Sequence, residues 1–222
     1  KLYSNGQEIE AKVDKALSQA EGHYDVIQGK LRISQPEIGA INIYPLYTEF
    51  RRQNPDITLE IHSTMKAYNI NQQEVDIVLR FGESPPDLLV GRCLGLVKSR
   101  IYASKRYLQS LPKNYSSSDY DWIVWRRTAK STAEKWFEKN VDNPRVVLRA
   151  ESIPDVMSAV LSGMGVAFLS SHEARQHSNL VELFDGVVVN EHKLWLLTHR
   201  DLRDSERVKT FMRFMTENLQ LE

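Results

Sequence analysis

The chain has 222 residues, enough for one large domain or two small ones. With 41% hydrophobic and 26% charged residues it is neither collagen-like, nor a disulfide scaffold, nor wholly disordered. Lys plus Arg and Asp plus Glu each total 29, so the formal net charge is zero. That argues against a segment that binds DNA through its net field, though not against a local basic patch.

The first 28 residues read as one amphipathic helix. Leu2, Ile9, Val13, Ala16, Leu17, Ala20, Tyr24 and Ile27 recur in steps of three, four and seven. Two readings stand: a helix packed on its own domain, or a linker helix that pairs with another chain. From Gly29 strands and helices alternate. Lys30–Ser34 predicts a strand, and a helix follows from about Gly39 to Gln53, with Pro45 in its early turns. Ile57–His62 alternates as a strand, and a helical turn is expected near Asn69–Glu74. Val75–Phe81 is a nearly continuous apolar run, as in a strand buried on both faces.

After the turn at Gly82–Pro86, two apolar stretches, Leu88–Arg92 and Leu94–Ala103, carry the chain onward. A helix at Lys105–Leu111 and a polar loop at Pro112–Asp121 follow. Trp122–Trp125 predicts a strand, Thr132–Glu138 a helix and Val146–Glu151 a strand. Ile153, Val156, Met157, Val160 and Leu161 give the clearest helical period. Ser152 is its expected cap and Gly163 its stop. Strands are expected at Val166–Leu169, Leu180–Phe184 and Lys193–Thr198, with a last helix at Ser205–Leu219. The order implies two successive α/β units, with the final strand and helix returning to the first, and a cleft between them.

Catalytic signatures are thin. Ser63-Thr64-Met65-Lys66 matches the Ser-x-x-Lys of acylating enzymes, but it follows a strand and no Lys-Thr-Gly comes later. The six histidines form no zinc-ligand spacing, so neither a metal nor a cofactor is expected. The single Cys93 cannot form an intrachain disulfide and lies in an apolar stretch. It is expected to be a buried, inert thiol in a reducing compartment. No apolar run approaches the roughly 20 residues of a membrane span. The chain begins at Lys1 rather than Met, which reads as a processed chain or a fragment.

In open α/β sheets, ligands bind beyond the carboxyl ends of the strands. That rule selects the loops at Ser34-Gln35-Pro36, His62-Ser63-Thr64, Trp125-Arg126-Arg127 and Glu151-Ser152. Three carry Ser or Thr, which serve equally as helix caps or as hydrogen-bonding groups for a small polar ligand.

The order of motifs resembles the effector-binding region of LysR-type transcriptional regulators. GKLRIS at Gly29–Ser34 and YPLYTEFRRQNPDITLEI at Tyr44–Ile61 carry the likeness first. EVDIVLRFG at Glu74–Gly82, RIYASKRYL at Arg100–Leu108 and SIPDVMSAVLSGMGVAFLS at Ser152–Ser170 follow, and LWLLTHR precedes the last helix. The family usually has a Pro shortly after the strand at Val166–Leu169, whereas Ser170-Ser171 stand here.

The resemblance implies an α/β fold of two Rossmann-like lobes, similar to type II periplasmic binding proteins, joined by two crossover strands. A linker helix at 1–28 would precede lobe I, at 29–103 plus 192–222, and lobe II, at 104–191. Hinges would lie near Ala103-Ser104 and Lys193-Leu194. It further implies a cytoplasmic, non-enzymatic homodimer or homotetramer that binds a small-molecule effector, with promoter DNA bound by a winged helix-turn-helix upstream of Leu2. By position, the effector contacts are Ser34, Gln35, Pro36, Ser63 and Thr64 from the first lobe, and Arg126, Ser152 and Phe168 from the second. The alternative is a periplasmic solute-binding protein of a transporter, which shares the two-lobed architecture. The N-terminal helix disfavours it, because such proteins usually enter their first strand soon after their start.

Overall fold

Leu31 and Ile33 alternate with polar neighbours, so one side of their strand can face a core while the other pairs and solvates. That strand is β1, Gly29–Gln35. The computed structural model describes residues 27–37, 40–63, 75–125, 132–219 and 221, with the backbone alone at 132–134. The expected N-terminal helix and the turn near Asn69–Glu74 lie outside the described residues.

Helix α1, Tyr44–Gln53, follows β1. It starts later than the sequence predicts because Pro45 must sit in the first turn, where no N–H is required. Strands β2, Ile57–Ser63, and β3, Ile77–Phe81, run parallel to β1 on either side. The two apolar stretches expected from Leu88 to Ala103 are one strand, β4, Leu89–Ser104. A β-bulge between Cys93 and Gly95 absorbs the break in its alternation. Cys93 is exposed there, not buried as the apolar surroundings suggest. In a strand, apolar neighbours at i±1 say nothing about the face on which a side chain lies.

Beyond β4 come α2, Lys105–Ser110, capped by Ser104, and β5, Asp121–Trp125. The loop between them contains a short 3-10 turn at Ser117–Asp119. Next are α3, Thr132–Asn140, and β6, Arg145–Ala150. Helix α4 is Ile153–Leu161, with Ser152 Oγ accepting the Asp155 N–H at 3.3 Å. Gly163 ends it at φ +83°, a left-handed conformation that glycine adopts without penalty. Strand β7, Val166–Ser170, leads into α5, Ser171–Ala174. Strands β8, Leu180–Leu183, and β9, Asn190–His199, precede α6, Glu206–Asn218.

The nine strands among the described residues form one sheet in the order β2-β1-β3-β9-β4-β7-β5-β6, with β8 paired to β4. The antiparallel pair β4–β9 runs through its middle and separates two cores. On one side α1 and α6 lock together through rings. Phe50 and Phe211 lie 5.0 Å apart, Phe50 and Phe214 5.3 Å, and Tyr47 and Phe211 5.9 Å between centroids. On the other, Phe137 of α3 packs on Trp122 and Phe168 of the sheet, and Val156, Met157 and Val160 of α4 cover the opposite face.

Asp76 ties three strands together. Its carboxylate accepts the Arg32 N–H at 2.8 Å, and its own N–H donates to the Arg32 carbonyl. Thr198 Oγ1 donates to the Asp76 carbonyl at 2.8 Å. Burial holds the Asp76 carboxyl above the usual aspartate range, against the opposing pull of the Arg32 N–H and of Arg207 and Arg32. A raised folded-state pKa means that the folded chain binds more protons than the unfolded chain within that window. Stability contributed at this site therefore falls as pH rises from the ordinary aspartate value through the raised one. Asp76→Asn keeps an oxygen acceptor for Arg32 without the charge. Its Tm relative to the parent chain is expected to climb as pH rises through that window, measured by thermal unfolding in a pH series. A difference independent of pH would contradict this account.

Candidate functional site

The strand register defines where the loops meet. Phe81, the end of β3, and Gly95 of β4 both pair with Leu194 of β9. Ser170, the end of β7, pairs with Ser99 of β4. Strands β1 and β2 end near the level of Arg92, because Ser34 pairs with Val78 and the next residue, Leu79, pairs with Leu196 opposite Arg92; β3 ends at the level of Gly95, and β7, with β5 parallel to it, ends at the level of Ser99 from the opposite direction. Four residues of strand separate the last two levels, about 13 Å. The carboxyl ends of the two sets converge on the middle of the sheet, where the ligand rule places a site.

On the first side the structure joins three side chains. The Tyr47 hydroxyl donates to Gln35 Oε1 at 2.6 Å, and Gln35 Nε2 donates to Ser63 Oγ at 3.2 Å. Register makes this possible, since Gln35 of β1 stands directly opposite Ser63 of β2. Tyr47 and Gln35 are buried and Ser63 is exposed. Burial first, and the neighbouring Tyr44 second, push the Tyr47 phenol well above its ordinary value, so it remains a donor. A phenol that donates to Oε1 fixes the Gln35 amide, which then must present its NH₂ to Ser63. Ser63 Oγ is thus an acceptor from Gln35, and among the described residues no acceptor takes its own O–H.

Ser34 is buried next to Gln35 in the strand, pairing with His62 and Val78, and Pro36 follows, also buried. Thr64 and Arg126 lie outside the described residues. On the second side, the Trp125 indole N–H donates to the Glu151 carbonyl at 3.1 Å, fastening the ends of β5 and β6. Ser152 is occupied as the α4 cap. Phe168 packs in a ring cluster, 5.6 Å from Trp136, 5.8 Å from Trp122 and 6.0 Å from Phe137. Its surroundings are those of a packing residue under α3. At the site of the family's usual Pro, Ser170 accepts no cap hydrogen bond, and its buried hydroxyl has no partner among the described residues.

Of the expected contacts, the structure joins Gln35 and Ser63 by hydrogen bonding, whereas Ser34, the preceding strand residue, is directed to the opposite face of the sheet. Ser152 and Phe168 stand on the far half of the sheet in capping and packing roles. Tyr47 is the residue that sequence reasoning missed. Its place on the apolar side of a helix looks like that of any core aromatic. The available signal was the hydroxyl, which needs a partner when buried.

The family model of the LysR substrate binding domain matches residues 25–220. The chain belongs to that family. It is a LysR-type effector-binding domain, and the match favours this reading over the transporter alternative. Among relatives, the uncharacterised HTH-type transcriptional regulator YhjC of Escherichia coli is 27% identical over 206 residues, covering 85% of this chain and 67% of that protein. An HTH-type transcriptional regulator of Xanthomonas campestris is 32% identical over 103 residues, or 44% of this chain and 30% of that protein. The chain thus matches less than two thirds of that relative's length. CrgA of Neisseria meningitidis, a solved LysR-type regulator, superposes with a TM-score of 0.75 at 21% identity, covering 99% of this chain and 78% of that one. The regulatory domain of AphB from Vibrio vulnificus gives 0.66 at 20%, covering 86% and 98%. These likenesses establish the mixed α/β fold of LysR regulatory domains. Among the described residues, no helix is long and apolar enough to cross a membrane.

Proposed function

We propose that this domain senses a small molecule held between lobe I, at 29–103 plus 192–222, and lobe II, at 104–191. The whole protein is then a cytoplasmic homodimer or homotetramer, with residues 1–28 as its linker helix and promoter DNA bound upstream of them. The Tyr47–Gln35–Ser63 chain of hydrogen bonds carries the reading. A buried, fully directed polar chain that ends on an exposed hydroxyl at two strand ends is poised to recognise an acceptor group, such as a carboxylate or carbonyl. The other proposed contacts are Ser34 and Pro36 of lobe I and Ser152 and Phe168 of lobe II, with Thr64 and Arg126, outside the described residues, assigned by their place in the sequence.

The mechanism is a population shift. An effector that touches both lobes favours one lobe angle, and contacts between subunits pass that preference to the DNA-binding part. The proposed hinges are near Ala103-Ser104 and Lys193-Leu194, and the Cys93–Gly95 bulge, opposite Trp195 and Leu194, supports a break in the β4–β9 pairing at the second of them.

Thermal-shift screening against small acids, amines and sugars tests the site. A stabilising ligand is expected to bind Ser63→Ala about three- to tenfold more weakly, the usual range for one hydrogen bond. Ser63 is exposed, so the variant should fold normally. Ligands whose shifts survive unchanged in Ser63→Ala, Ser34→Ala and Thr64→Ala would place the site elsewhere.

A further inference from the structure

Two lengths in the Tyr47–Gln35–Ser63 chain fix the direction in which it runs. The Tyr47 hydroxyl lies 2.6 Å from the Gln35 side chain, which in turn lies 3.2 Å from Ser63 Oγ. Bonds donated by O–H span about 2.5–3.0 Å, and those donated by N–H about 2.7–3.2 Å. The short contact is therefore donated by the phenol to Oε1, and the long one by the amide NH₂ to Ser63. Turning the amide over would set its nitrogen 2.6 Å from the phenol oxygen and leave Ser63 donating over 3.2 Å. Neither length suits its donor.

Hydrogen-bond accounting gives the same direction. In the reversed chain the phenol hydrogen would have no acceptor, because Gln35 is the partner of the Tyr47 hydroxyl among the described residues. Tyr47 is 3% exposed and Gln35 2%, so bulk water does not reach them. A buried donor left without a partner disfavours the reversed chain roughly five- to hundredfold. Nor can the ring swing to another acceptor. Tyr44 stands edge-on to it at 5.7 Å and Phe211 packs on it at 5.9 Å.

The direction decides which ligands Ser63 serves. As observed, Gln35 takes one lone pair of Oγ, and the O–H remains to be donated. Reversed, the O–H would be spent on Gln35 and only lone pairs would be left. The first state suits a carbonyl or carboxylate oxygen, and the second suits an N–H.

We propose that Tyr47 is a positioning residue that sets the ligand class of this site. Without touching the ligand, it holds the Gln35 amide so that Ser63 donates, and the site prefers acceptors to donors. The inference rests on the reading of Ser63 as a ligand contact between the lobes. It places the choice of ligand in α1, a helix of the core, rather than only in the loops at the strand ends.

Two neutral rings of similar size serve as probes: cyclopentanone, which only accepts, and pyrrole, whose N–H donates. Binding to the 222-residue chain is followed by heteronuclear NMR at the backbone amide of position 63. In Tyr47→Phe the ratio of the two dissociation constants is expected to shift toward pyrrole about three- to fivefold, because the hydroxyl is then available to an acceptor in only a fraction of molecules. A general loss of stability would weaken both probes together and leave the ratio unchanged. In a Ser63→Ala background, Tyr47→Phe should not move the ratio. An unchanged ratio in Tyr47→Phe, or the same shift with Ser63→Ala present, would overturn the inference while the cleft reading stands. If neither probe perturbs the amide in the parent chain, the cleft reading falls and the inference with it.

Discussion

Phe211→Ala is expected to destabilise the domain by about 3–5 kcal/mol, the range for truncating a fully buried aromatic ring. Phe211 is fully buried and edge-packed on Phe50, with Tyr47 beside it. Those two rings belong to α1 and Phe211 to α6, so the truncation opens the joint between the helices. Neither can slide to fill the space, because each is also fixed on the sheet through the cluster of Leu31, Ile33, Ile77 and Leu79. The effect also reaches the site, since Tyr47 directs Gln35. Urea denaturation followed by circular dichroism measures the loss. A loss below about 1 kcal/mol would mean that the helices repack freely.

Gly91→Ala is expected to cost at least the upper end of the roughly 1–3 kcal/mol typical of overpacking. A Cβ at Gly91 would overlap the Leu196 carbonyl oxygen and crowd the Leu197 Cα. These are backbone atoms of the facing strand, which cannot rotate away as a flexible side chain can. The β4–β9 pair joins the two cores, so forcing it apart should lower the unfolding midpoint and weaken coupling between the lobes. Gly186→Ala is the control. Gly186 has φ +74° but no atom within 4 Å of an added Cβ, so that change should cost only the backbone penalty, about 1–2 kcal/mol. Equal losses at the two positions would remove the steric argument.

The fold was largely legible because its strands and helices obey strong local rules. The period of Ile153–Leu161, the Ser152 cap and the Gly163 stop appear as read, and so do the alternating strands at Leu31, Ile33 and Ile57. What escaped were features that depend on partners distant in the chain. The continuity of β4 through its bulge needs β9 opposite, and the exposure of Cys93 depends on which face it occupies. The site was legible in outline, because the strand-end rule finds Gln35 and Ser63 without knowing that they touch. Tyr47 could not be separated from an ordinary core aromatic, since its distinguishing contact joins a helix to a strand end 12 residues away. Phe168 is expected at the effector site from the resemblance alone. Its place among Trp122, Trp136 and Phe137 is fixed by packing that one sequence does not display.

The central claim is that a ligand between the lobes changes their angle and so the geometry of the assembly. Solution X-ray scattering of the full-length protein, with and without a ligand whose binding depends on Ser63, tests it most directly. The account predicts that saturation changes the scattering profile and the maximum dimension, and that Ser63→Ala needs several-fold more ligand for the same change. Superimposable profiles at saturation would contradict it.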